Sequence, residues 1–256
     1  MKSWIAFLKK EVLESVRSGK LTILGILFLL FGIMNPAMAK LTPWLFETLS
    51  DTLAESGMMV LKVEVDALTS WTQFFKNIPM ALIVFVLVYS NTFTNEYQSG
   101  TLMLVLTKGL ARYKVVLAKA AWMLFLWTAG YVVCFGTTYA YNAFFWDNAV
   151  AVGLVPAAVN WWLFGVFTVC LVVVFSTFLN SQAGVLLGTG SVVVISYAVG
   201  MFPKVKMFLP TALMNSAALL VESENEELYL KSVICTVVVC IVCLGVSIPI
   251  LNKKQI

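Results

Sequence analysis

Long apolar runs separated by short polar breaks make up most of the chain. Six of these runs, at 21–39, 77–93, 115–143, 157–179, 183–202 and 232–251, approach the roughly 20 residues a helix needs to cross about 30 Å of hydrocarbon. They predict an all-α integral membrane protein with six transmembrane helices. Ahead of the first run, residues 1–20 place Trp4, Phe7, Leu8, Val12, Ser15 and Val16 at helical spacing, with Lys9, Lys10, Glu14 and Arg17 on the other side. That spacing predicts an N-terminal amphipathic helix lying along the membrane surface.

The polar breaks differ in length. Segment 40–76 carries helix signals of its own: Thr42 as N-cap, Pro43 at the first helical position, Phe46, Leu49 and Leu53 on one face, and Gly57 as a stop. Segment 144–156 is short and nearly uncharged. Segment 201–231 is bracketed by Pro203 and Pro210 and contains an apolar run, 211–221, too short to span. Its Glu222, Glu224, Glu226 and Glu227 read as a solvated helix end. Between the fourth and fifth runs only Asn180, Ser181 and Gln182 remain for a turn. Segment 94–114 is thus the one inner loop long enough to hold a large partner.

Composition agrees with this reading. The chain is 61% hydrophobic and 12% charged, whereas soluble domains are about half apolar and about a quarter charged. The charges fall outside the runs or near their ends, with Lys119 about one turn inside, where its stem is expected to snorkel outward. With the N-terminus in the cytoplasm, eleven basic residues face inward and six outward, while three acidic residues face inward and ten outward. This satisfies the positive-inside rule and places a multi-pass protein in the bacterial cell membrane with both termini cytoplasmic. The first run lacks a small-residue cleavage site and is followed by further runs, so it reads as an anchor, not a removed leader.

Several side chains invite chemistry and receive plainer readings. Cys134, Cys170, Cys235, Cys240 and Cys243 all lie in predicted spans, so an outer disulfide framework is not expected, and the CxxC at Cys240 and Cys243 reads as packing. Gly184 and Gly188 form a GxxxG pair that permits close helix approach, within the chain or against a second copy. Trp122, Trp127, Trp146, Trp161 and Trp162 lie mostly near predicted span ends and read as interfacial belts. The chain has no histidine, which excludes HExxH metalloproteases and Ser-His-Asp hydrolases. It has no GxxxxGK[ST] loop for nucleotide phosphates, and no carboxylate or lysine in mid-span to relay protons. Energy for any transport must come from another polypeptide.

Segment 95–119 reads NEYQSGTLMLVLTKGLARYKVVLAK. Glu96 is followed by a break at Gly100 and Thr101, an apolar run Leu102, Met103, Leu104, Val105 and Leu106, a second break at Gly109, and then Arg112 and Lys119. This segment resembles the cytoplasmic loop by which type 2 ABC transporter permeases engage their ATPase. Chain length, number of spans and the basic N-terminus extend the resemblance over the whole chain. Gly109 and Ala111 depart from it, since Pro and Ser are common at those positions.

The resemblance implies an exporter-like permease subunit with a short cytoplasmic coupling helix between spans 2 and 3. It further implies two ATPase subunits that bind ATP and Mg, and a second copy or related permease subunit, within membrane lipid and with no nucleic acid. This chain itself would hold no cofactor and no metal and would not be an enzyme. On this reading Gly100 permits the left-handed turn that ends the second span and Thr101 caps the free amides that follow. Glu96 pairs with a basic group on the ATPase or with Arg112, and Leu102, Met103 and Leu106 fill an apolar groove on it. Spans free of charge favour a hydrophobic or amphipathic cargo, such as a peptide, antibiotic or lipid-like molecule. An alternative of another class is a non-transporting immunity or sensory protein that binds a peptide with its outer loops.

Overall fold

The computed structural model describes residues 2–55, 65–107, 109–221 and 226–254. Gly57, Lys108, Glu222 and Glu224, and the side chains of Phe46, Leu49, Leu53, Glu226 and Glu227, lie outside what is described. The elements are α1 (Lys2–Arg17), α2 (Lys20–Glu55), α3 (Ala67–Tyr89), α4 (Thr94–Gln98), α5 (Thr101–Thr107), α6 (Arg112–Phe145), α7 (Leu154–Phe178), α8 (Gln182–Val199), α9 (Pro203–Lys206) and α10 (Glu226–Lys253). Short 3-10 helices cover Asn148–Val150 and Pro210–Leu220. Among the described residues six segments are long and apolar enough to cross a membrane: Lys20–Trp44, Ala67–Gln98, Arg112–Phe145, Leu154–Phe178, Gln182–Val199 and Tyr229–Lys253.

Two expected boundaries move. The helix of α2 runs without interruption past Thr42 and Pro43, so no new helix starts there. The Thr42 hydroxyl turns back to donate to the Met38 carbonyl at 2.8 Å instead of capping; the pyrrolidine ring of Pro43 removes one amide but leaves the helix continuous. The second span starts ten residues earlier than its apolar run, because Asp66 caps α3 by accepting from the Thr69 amide at 2.9 Å. Polar residues in that first stretch find partners. The Trp71 indole donates to Asn148 Oδ1 at 3.0 Å, and Asn77 donates to Asn35 Oδ1 at 2.9 Å, while the Asn35 Nδ2 group donates to the Thr138 hydroxyl at 3.2 Å.

In the bundle, α2 packs between α3 and α6, while α7 lies against α6, α8, α10 and the Pro210–Leu220 helix. Small residues set these distances, as membrane packing without a hydrophobic driving force requires. A Cβ on Gly165 of α7 would stand 2.1 Å from the Trp127 ring of α6. Trp127 fills that space completely and donates to the Trp162 carbonyl.

Trp122, Trp127 and Trp161 are buried in the core instead of forming belts. Each indole finds an internal acceptor: the Ser15 hydroxyl, the Trp162 carbonyl and the Met214 carbonyl, respectively. Closeness to a span end does not place a ring at the lipid interface when an interior partner is within reach. Trp146 and Trp162 are half-buried. The run after Pro210 folds back against α7 and α10 as a buried 3-10 helix, anchored where Ser216 donates to the Ala157 carbonyl at 3.1 Å.

Candidate functional site

Between α3 and α6 the chain makes two short helices at the end of the bundle where α1 lies: α4, which completes the second candidate span, and α5, which follows it. Gly100 (φ +66°) separates α4 from α5, and Gly109 (φ +85°) follows α5, both in the left-handed region that favours glycine. The first of these follows α4, whose last residue, Gln98, also ends the second candidate span, although the helix itself breaks once before, after Tyr89. Thr101 is the first residue of α5, and its hydroxyl pairs with that of Ser99 at 2.9 Å instead of capping an amide.

α5 rests on α1. Leu102 is fully buried in a small cluster with Phe7, Phe93, Leu110, Val115 and Ala118, and Leu106 packs half-buried against its edge. Met103 and Leu104 point away, 49% and 63% exposed. Of the three side chains expected to meet a partner, Met103 is free to do so, whereas Leu102 is turned inward by the helical phase and Leu106 is partly covered. Leu104, which the sequence reading passed over, is the most exposed of the run. Five consecutive apolar residues carry no periodicity from which to choose a face.

Beneath this helix lies a buried ion cluster. Lys119 is 1% exposed and donates to Glu11 Oε1 at 2.9 Å, to Glu11 Oε2 at 3.0 Å and to the Thr92 carbonyl at 3.2 Å. Glu96 Oε2 stands 3.2 Å from the same ammonium. Lys119 therefore does not snorkel, because its acceptors lie inside. Lys10 joins the cluster from the rim, paired with Glu96, with Glu14 at 2.8 Å and with Glu11 at 3.2 Å. The pairing expected between Glu96 and Arg112 is absent: Glu96 belongs to Lys10 and Lys119.

Arg112, the first residue of α6, instead clasps the end of α10. It donates to the carbonyls of Leu251 (2.7 Å), Asn252 (3.0 Å) and Lys254 (2.8 Å), acceptors that a helix end leaves free. Lys254 then donates to the Thr177 carbonyl at 3.1 Å, near the end of α7, and lies 3.8 Å over the Tyr97 ring. Burial pushes its pKa down to about 8.

Burial alone would also lower the Lys10 ammonium, but Glu11, Glu14 and Glu96 together raise its pKa. Burial would raise the Glu14 carboxyl, but the Lys10 ammonium holds it below the ordinary range. Carboxylate oxygens of Glu11, Glu14 and Glu96 lie within 4.8 Å of one another, a spacing that could hold a cation. The Lys10 ammonium contacts all three and already supplies the positive charge there. Between α1 and α4–α5 an open polar cleft of about 590 Å³ is lined by Lys10, Glu14, Asn95, Glu96 and Gln98.

The cluster was partly visible in the sequence. Glu11 follows Phe7 and precedes Ser15 at intervals of four, on the face that packs inward, and all three are buried. A carboxylate there and a lysine inside a span are each costly alone, and meeting each other offsets much of that cost. Gly184 and Gly188 make their close approaches within this chain. A Cβ on Gly188 would stand 2.6 Å from the Phe175 ring of α7, and Gly184 donates its amide to the capping hydroxyl of Ser181. The five cysteines are free thiols.

The sequence model for the ABC-2 family transporter proteins matches residues 5–254. The chain is also 25% identical over 251 residues to the uncharacterized transmembrane protein YxlG of Bacillus subtilis (strain 168), covering 96% of this chain and 95% of that protein. A membrane bundle of six candidate spans and a match over almost its whole length agree, and the chain belongs to the ABC-2 family of transporter proteins.

Proposed function

We propose that this chain is the transmembrane permease subunit of an ATP-driven exporter and that α5 is its coupling helix. A separate pair of ATPase subunits, holding ATP and Mg, grips α5 from the cytoplasm; a second copy or related permease completes the pathway for a hydrophobic or amphipathic cargo. The bundle sits in a bacterial cell membrane with both termini inside. The observation that carries this reading is α5 itself. It is a helix set between two left-handed glycines, with Leu102 anchored in the bundle and Met103 and Leu104 presented outward. Exposed apolar side chains on a docked helix call for a partner surface. Leu102 ties α5 to Phe7, Val115 and Ala118 in one apolar cluster, and the ion cluster links α1, α4 and α6, so that a push on α5 reaches the spans.

Leu104→Asp should abolish copurification of the ATPase while the permease still inserts; undiminished binding would place the contact elsewhere. Glu96→Ala and Gly100→Leu should lower transport per ATP hydrolysed, and unchanged coupling in both would remove the lever. A Met103→Cys protein on intact cells should resist an impermeant thiol reagent. Labelling from outside would reverse the orientation and end the proposal.

A further inference from the structure

α8 presents one face to two cavities in succession. The first is an apolar groove of about 300 Å³ between α3, α7 and α8, lined by Leu82, Ile83, Phe164, Gly190, Val194 and Met214. Its floor is buried at Leu82 and Phe164, while its lips, Ile83 and Val194, are exposed, so it opens sideways out of the bundle. The second is a mixed pocket of about 240 Å³ in which Tyr197, Lys206, Thr211 and Asn215 supply polar groups beside the apolar Met201 and Ala212.

Leu186, Gly190 and Val193 in the groove and Tyr197 and Gly200 in the pocket fall at intervals of three and four, hence on a single face of the helix. On the opposing 3-10 helix, Met214 lines the groove and Asn215 the pocket, so the two meet end to end. From Leu186 to Val194 the groove follows about 12 Å of helix, close to the depth of one leaflet, about 15 Å. The second pocket begins one turn further on, at the end of α8, where a head group belongs.

Its charge selects the head. Lys206 is exposed and its ammonium makes no hydrogen bond or ion pair among the described residues, Lys204 is exposed beside it on α9, and among the described residues no acidic side chain lines the pocket.

We propose that this face of α8 is a binding site for an anionic phospholipid, with one acyl chain in the groove and the head group at Lys206. The inference does not require the coupling role of α5, and its test reads binding alone. Gly190 provides a clean probe, because a Cβ there meets nothing within 4 Å and a larger side chain would extend into the groove.

Detergent-purified protein titrated with phosphatidylglycerol, with bound lipid counted by native mass spectrometry, should retain one molecule. Phosphatidylcholine should bind more weakly. Lys206→Gln should weaken phosphatidylglycerol about fivefold, the size of a single lysine–head-group contact, and Gly190→Leu should displace it. Equal retention by the wild type and Lys206→Gln means ordinary boundary lipid and overturns the proposal, even if Gly190→Leu does not insert. Displacement of the lipid by glycerol 3-phosphate alone would also overturn it, since the groove would then contribute nothing.

Discussion

Lys119 and Trp127 stand eight residues apart on α6 and are equally hidden, 1% and 0% exposed, yet they are buried by opposite means. Trp127 needs only space: α7 supplies a glycine, and one carbonyl accepts the indole proton. Lys119 needs charge, delivered from Glu11 on α1, Glu96 on α4 and a carbonyl in the turn between α3 and α4. Packing is specified by two neighbours and tolerates small adjustments. A buried ion cluster is specified by several elements at once, and losing one member leaves the others uncompensated. The α1 end should therefore behave as a unit and the core as a sum of local fits.

The largest expected effect tests the cluster. Lys119→Ala leaves the buried Glu11 and Glu96 with only the rim ammonium of Lys10 between them and should cost about 3 kcal/mol in thermal unfolding in detergent. Adding Glu11→Gln should return part of that loss. A Lys119→Ala protein as stable as a surface variant would dissolve the comparison.

The matching test of packing is Gly165→Ala, whose new methyl would collide with the Trp127 ring. It should cost about 1–3 kcal/mol, less when combined with Trp127→Phe, because the two substitutions share one space. Trp122→Phe should cost about 1 kcal/mol, leaving the buried Ser15 hydroxyl without its donor.

Leu104→Asp lies outside both regions. It should alter stability by no more than about 0.5 kcal/mol, although it removes the ATPase contact proposed for α5.

The smallest effect is on pH. Because Lys10 holds the Glu14 pKa below its ordinary value, Glu14 favours the docked α1 above about pH 4.5 and loses that influence as pH falls further through its folded value. Melting curves of the wild type and Glu14→Gln should converge in acid; a constant gap would show that Glu14 does not titrate with docking. The raised pKa of Lys10 acts in the other direction: its contribution is complete below 10.5 and declines only above it.

Much of the fold could be read from the chain. The six candidate spans, the N-terminal helix, the three-residue turn before α8, the left-handed Gly100 and the break at Gly109 follow from hydropathy, periodicity and turn chemistry, which act over a few residues. Where the reading failed, a distant partner had intervened. Asp66 extended α3 through Thr69, Ser15 drew Trp122 inward, and Thr42 bonded backward in place of starting a helix. The candidate site was half legible. Glycine breaks and an apolar run marked α5, but five apolar residues in a row could not reveal that Leu102 faces in and Leu104 out.

Composition and pattern alone determined that this is a membrane protein with six segments long and apolar enough to cross the bilayer, because transfer of apolar length into hydrocarbon is a local property of each segment. Only the tertiary structure decided that Lys119 stays inside, that Glu96 answers to Lys10 and Lys119 and not to Arg112, and that Arg112 holds the end of α10. Charges choose partners by distance in space, and the residues that satisfy Lys119 lie as much as 108 positions away along the chain.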